Sequence, residues 1–223
     1  MRLHSSTTNM RLAEPVTSIT DYILAAEALL FSMLLFVGYQ GQTSILLWAA
    51  GFAALAVSAL LGGTFHGFQP VLKLSTFVSL QRLSALTILA ALLLFIAAGI
   101  LSKFTGKLSW TLFVSSAVLV AGGIFWTARN HKRDFTIEGS AHVVWIIFGV
   151  LAVLLLRHFL VHGKAIGYFM FTGALVMLVG IAVQQQEVVI HPKFNENDLC
   201  HVLFMAGLFF LYHGGLLLRD AIP

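Results

Sequence analysis

Leu83-Ser84-Ala85-Leu86-Thr87-Ile88-Leu89-Ala90-Ala91-Leu92-Leu93-Leu94-Phe95-Ile96-Ala97-Ala98-Gly99-Ile100-Leu101 runs without one charged side chain. A helix rises 1.5 Å per residue, so about 20 apolar residues cross the hydrocarbon core of a bilayer. This stretch meets that requirement and sets the search pattern for the rest of the chain. Seven runs of this kind occur, at residues 20–40, 44–66, 75–101, 108–128, 141–160, 165–183 and 198–218. Helices are the open structure that spans lipid, because each satisfies its backbone groups internally. A barrel would show short alternating segments instead, and none is present.

Composition agrees. The chain has 223 residues, 59% hydrophobic and 10% charged. Soluble domains carry about 25% charged residues, so the solvent implied here is lipid. The net charge of +4 suits anionic headgroups, and no basic cluster with interleaved aromatics points to nucleic acid. The single cysteine, Cys200, excludes an intrachain disulfide. Residues 1–19 are too polar for a secretory signal. The expected organisation is a polar tail at 1–19, one all-α seven-transmembrane bundle at 20–218 and a short tail at 219–223.

Seven spans put the termini on opposite sides. The N-terminal side then holds eight lysines and arginines, and the other side holds five (Lys103, Lys107, Arg157, Lys164 and Arg219). The bias favours a cytoplasmic N-terminus in an integral membrane protein, read here as residing in the inner membrane of a prokaryote.

This topology sorts the polar residues. His66 ends the second run, Asp198 and His201 begin the seventh, and Asp21 begins the first, all on the N-terminal side. Gln81, His142 and Gln184 to Gln186 share that side. Ionisable groups at membrane depth are functional-site candidates. Asp198 and His201 are three apart and share a helix face. Imidazole and carboxylate both ligate zinc, and three protein ligands plus a water is the catalytic zinc pattern. His66, His201 and Asp198 are therefore the candidate metal ligands. Asp198, Thr64 and Glu27 are the candidate groups for handling protons during hydrolysis. The structural reading is that Asn197 or Asp198 caps the seventh helix and His201 bonds a neighbouring helix. Glu27, inside the first run, equally reads as a packing residue that must be neutral or paired. Asp21 reads as a helix-start residue.

A rival pair, His158 and His162, lies four apart on the far side, where His213 also falls. The flank Arg157-His158-Phe159-Leu160-Val161-His162-Gly163-Lys164 reads more simply as polar tips reaching the interface. Cys200 lies on a different helix face from His201 and is not taken as a ligand. Walker, Rossmann and nucleophile-elbow patterns are absent.

The last run, Asn197-Asp198-Leu199-Cys200-His201-Val202-Leu203-Phe204-Met205-Ala206-Gly207, continuing to His213-Gly214, resembles the final helix of the progestin and adipoQ receptors and haemolysin III proteins. These belong with the alkaline ceramidases in the seven-helix CREST superfamily. Phe65-His66 resembles the superfamily's second-helix motif. The resemblance implies zinc held by His66 and His201, with a zinc-bound water hydrolysing a lipid amide or ester. The family's other last-helix histidine falls on Asn197, its serine on Gly62, and its third-helix aspartate has no acidic counterpart, Gln81 being nearest. Asp198, Glu196 or His191 are the residues placed to replace the missing ligand. The leading expectation is a zinc-dependent hydrolase of a membrane lipid. The competing one is a non-catalytic receptor-like or lipid-binding protein on the same scaffold. A b-type cytochrome with His66 and His201 as axial ligands is a third reading, and a transporter a fourth.

Overall fold

The computed structural model describes residues 12–130 and 165–221. Among them are six long helices: α1 (Pro15–Val37), α2 (Thr43–Phe68), α3 (Leu74–Leu101), α4 (Gly106–Asn130), α5 (Ala165–Gln185) and α6 (Glu196–Leu216). A 3-10 turn, Gln69–Val71, joins α2 to α3. No strand element occurs among the described residues. Five helices (α1, α2 with its 3-10 extension, α3, α5 and α6) are long and apolar enough to cross a membrane. The fourth apolar run falls on α4. The fifth, at 141–160, lies outside the described residues, as do His142, His158 and His162.

The helix ends follow local chemistry. α1 begins at Pro15, five residues before its apolar run, because proline at N1 loses nothing by lacking an N–H. That start brings Glu14 and residues 15–19, assigned to a tail by polarity, into the bundle. Pro70 stops α2, since proline cannot extend the hydrogen-bond ladder and disfavours helix in the residue before it. Asn195 caps α6: its Oδ1 accepts from Asp198 N at 3.0 Å, and Asp198 Oδ2 accepts from Asn195 N at 2.9 Å. This reciprocal pair is a capping box with aspartate at the fourth position. The expected cap at Asn197 or Asp198 is corrected by two or three residues.

α1 packs on α2 and α6, α2 on α3, and α5 on α6. The core is aromatic. Phe31 stacks on Tyr212 at 4.6 Å between ring centroids, and Phe52 meets both Phe31 and Phe95 edge-on. Trp48 is 2% exposed, and its indole N–H, which would be costly unpaired in lipid, donates to the Leu211 carbonyl at 3.1 Å. The hydroxyls of Ser58 and Ser84 bond each other at 2.9 Å between α2 and α3. Interhelical hydrogen bonds of this kind are the usual polar glue in membranes.

Cross-helix bonds define two ends. At the near end the start of α1, the end of α2 and the start of α6 meet: Ser18 Oγ donates to Gly63 O at 2.7 Å, and Thr20 Oγ1 lies 2.9 Å from His201 Nδ1. At the far end the segment after α6 ties down two other helices. Asp220 accepts from Thr43 N at 2.7 Å and Ser44 N at 2.8 Å, capping α2, and Ala221 N donates to Leu101 O at 2.9 Å.

Burial works to raise the Asp220 pKa, but the Ser44 and Thr43 N–H groups outweigh it and hold the carboxyl below its ordinary value. A lowered folded value means that the stabilising contribution is present above the unfolded pKa of about 3.9 and is lost as the pH falls through the folded pKa. Asp220→Ala should therefore cost about 1 kcal/mol at neutral pH, the size of a helix cap. It should also flatten the acid-side loss of thermal stability below about pH 4. Melting of both forms in detergent across that pH range is the check.

Candidate functional site

At the near end, three helices bring five ionisable side chains together. α1 and the residue before it supply Glu14 and Asp21, α2 supplies His66, and α6 supplies Asp198 and His201. His66 Nδ1 lies 3.0 Å from Glu14 Oε2. His201 Nε2 lies 3.4 Å from Asp21 Oδ1, while its Nδ1 faces the Thr20 hydroxyl at 2.9 Å. Both nitrogens of His201 are thus occupied from α1. Thr20 and Asp21 are adjacent on the helix and grip the ring from two sides. The Thr20 hydroxyl also lies 3.0 Å from the Thr17 carbonyl.

Burial makes these contacts count. Asp21 is 4% and Asp198 1% exposed. An uncompensated charge there costs several kcal/mol, so each histidine–carboxylate contact offsets a desolvation penalty that either residue alone would carry. Asp21 Oδ2, Asp198 Oδ1 and Glu14 Oε2 remain without a hydrogen-bond partner among the described residues, so the His66–Glu14 approach is a charge-pair contact. The cluster therefore has more buried acceptor capacity than its protein partners fill.

Small residues make room for it. A Cβ on Gly62 would come 2.9 Å from Asp21 Oδ2 and 3.0 Å from Oδ1. Gly62 is the position where the resemblance aligns a serine. Here the space a serine side chain would need is taken by the carboxylate that pairs with His201. Gly63 and Gly67 make similar room for Tyr22 and Ser18.

The expected site residues distribute as follows. His66, His201 and Asp198 do lie at one end of the bundle. Asp198, however, spends Oδ2 on the capping box. Among the described residues, no three His, Cys, Asp or Glu side chains are arranged to hold a metal ion. The described residues alone therefore do not make up the three-ligand zinc pattern. Thr64 donates to Leu60 O at 2.8 Å and touches the Tyr22 hydroxyl at 3.3 Å, so it is tied to its own helix and to α1. Glu27 is half-buried, six residues beyond Asp21, and its Oε2 has no partner among the described residues. His191 lies in the α5–α6 loop, accepting from Lys193 N at 3.1 Å. Asn197 accepts from Gln184 Nε2 at 2.7 Å, a tie between α5 and α6. Cys200 is buried and free. His213, late in α6, packs among Phe169, Phe209 and Tyr212 rather than in a polar site. Glu14 is the residue that sequence reasoning missed. The signal that could have found it is Pro15, which moves the helix start back to this carboxylate.

A bundle of long apolar helices with a polar cluster at one end fits a multi-pass integral membrane protein. The chain belongs to a family of unknown function (DUF6962), whose match covers residues 16–220. No curated protein and no solved structure matches it.

Proposed function

We propose that the protein is a seven-span membrane protein on a CREST-like scaffold that binds a membrane lipid without hydrolysing it. The observation that carries this reading is that α1 occupies both ring nitrogens of His201, through Asp21 and Thr20, while His66 Nδ1 lies against Glu14 just before that helix. His66 keeps Nε2 opposite its contact with Glu14, but His201 has Asp21 at one ring nitrogen and Thr20 at the other, so a zinc ion would have to displace one of them. The histidine contacts hold the start of the first helix against the second and the last. The serine, aspartate and third histidine of the hydrolytic superfamily members are replaced by Gly62, by no acidic residue and by Asn197. The polar cluster lies at the bundle end, at the depth where a lipid headgroup enters from the bilayer.

Seven spans are supported by the connectivity. α2 ends and α3 begins at the near end, and α3 finishes at the far end beside Ala221. α5 leads through a short loop to the start of α6, so it ends near and begins far. If α4 crosses from far to near, the chain must cross once more before residue 165, and the apolar run 141–160 is long enough to do so.

Purified protein should contain far less than one zinc per chain by elemental analysis. It should release no fatty acid from lipid amides or esters. Stoichiometric zinc that falls in a His66→Ala, His201→Ala double variant, or lipid hydrolysis lost in His201→Ala, would overturn the binding reading. Reporters on the two termini that fall on the same side of the membrane would overturn the seven-span topology.

A further inference from the structure

Glu27 is the ionisable residue of α1 that the near-end cluster does not absorb. It lies twelve residues after Pro15 and ten before Val37, so the ends of α1 are about 18 and 15 Å away at 1.5 Å per residue. A glutamate side chain does not reach water over that distance. Its Oε2 is buried and has no hydrogen-bond partner among the described residues. An unpaired polar group in hydrocarbon is costly, and acyl chains at this depth supply neither donor nor acceptor. The partner that would satisfy it is therefore protein.

The surface around Glu27 selects that partner. Ile23, Glu27, Leu30, Leu34 and Val37 are spaced alternately four and three apart, the heptad spacing with which two helices pack along a common seam. The four apolar members are between 43% and 83% exposed. The other side of α1 is already used: Leu24, Ala28, Phe31 and Leu35 are buried in the core. An apolar stripe alone is an ordinary lipid face. A carboxyl group at its centre is not, and in paired helices one polar residue in such a seam fixes register and partner number. Copies of one chain insert in the same orientation, so a two-fold axis between them lies along the membrane normal. Two α1 helices related by that axis run parallel, and each Glu27 meets the other at the same depth. An interface that pairs with itself needs a self-complementary group. A neutral carboxylic acid is one, with an O–H donor and a carbonyl acceptor. The terminal torsion of a glutamate is broad, so the half-buried group can turn to its counterpart.

We infer that the protein is a homodimer built on α1, with Ile23, Leu30, Leu34 and Val37 of two copies forming the seam and the two Glu27 carboxyl groups hydrogen-bonded to each other at its centre. The seam is independent of any ligand of the histidine cluster.

The test uses the full chain, labelled at its C-terminus, in phosphatidylcholine vesicles over a range of protein-to-lipid ratios, with subunits counted by single-molecule photobleaching. Wild type should pass from one subunit to two as the ratio rises. Glu27→Leu should raise the dissociation constant by up to about tenfold, the size of an interhelical hydrogen bond in a membrane. Glu27→Gln, whose amide also carries a donor and an acceptor, should stay within about twofold of wild type. Wild type that is monomeric at every ratio, Glu27→Leu that dimerises like wild type, or equal loss in both variants overturns the inference. A second arm keeps Glu27 and so does not depend on the leucine variant folding. Leu30→Cys, on the seam, should form a disulfide between copies on mild oxidation in membranes. Leu29→Cys, at a position 50% exposed but about 100° around the helix, should not. Cys200 is 2% exposed and stays unreacted. Equal cross-linking at both positions, or at neither, overturns the seam.

Discussion

Gly173→Ala should destabilise the protein by about 2–3 kcal/mol, at the upper end for overpacking a tight interface. The reason is geometric. A Cβ at Gly173 would come 2.8 Å from the Gly207 carbonyl oxygen and 2.8 Å from Leu211 Cγ. The first contact is backbone, which cannot rotate away, so α5 and α6 would have to separate. Gly207 presses back: its own Cβ would come 3.0 Å from Gly173 O and would run into Met177 Cγ. In lipid, helix association draws on close packing rather than on water exclusion, so a forced gap loses contacts along the whole seam. Gly99 provides the contrast, because a Cβ there meets nothing within 4 Å. Gly99→Ala should be neutral or stabilising by up to about 1 kcal/mol, from helix propensity alone. Equilibrium unfolding in mixed detergent and SDS micelles compares the two. Equal stabilities for both variants would mean that α5 and α6 are not in backbone contact.

Asp21→Leu should cost about 3 kcal/mol, and His201→Leu a similar amount, as expected for removing one member of a buried pair. Each change leaves the other residue in low dielectric without its partner. The double variant Asp21→Leu, His201→Leu should cost clearly less than the two single changes added together, because neither polar group is then stranded. Thr20 keeps a contact to His201 Nδ1, so the loss in Asp21→Leu is partial. A coupling energy below about 0.5 kcal/mol would mean that the two residues act independently. Circular dichroism of each variant checks that the helices persist, so that the cycle reports the pair rather than general collapse.

The apolar runs were legible because membrane composition leaves a coarse and redundant signal. The end of the bundle that the polar residues share was legible too, since helix order tells which helix ends lie together. His66, Asp198 and His201 lie at one end for that reason. The partners were not legible. Span counting gives position along the membrane normal but nothing about rotation around each helix axis. So Asp21 could be placed at the right end of the bundle without being seen to face His201. Glu14 was lost for a different reason. Apolarity marks the part of a helix in lipid, whereas Pro15 marks where the helix starts, and here the two differ by five residues. The Asn195 cap was hidden because three polar residues in succession, Asn195, Glu196 and Asn197, offer several registers that only backbone geometry separates.

Asp220 has a consequence for how the protein is made. Its carboxylate reaches back to Ser44 across 176 residues of chain. A ribosome adds about 5–20 residues per second, so α2 enters the bilayer on the order of 10–35 s before its N-terminal amides receive their cap. During that interval the far end of α2 must rely on water or headgroups for hydrogen bonds. The first hairpin is therefore assembled provisionally, and the arrival of the last residues completes it.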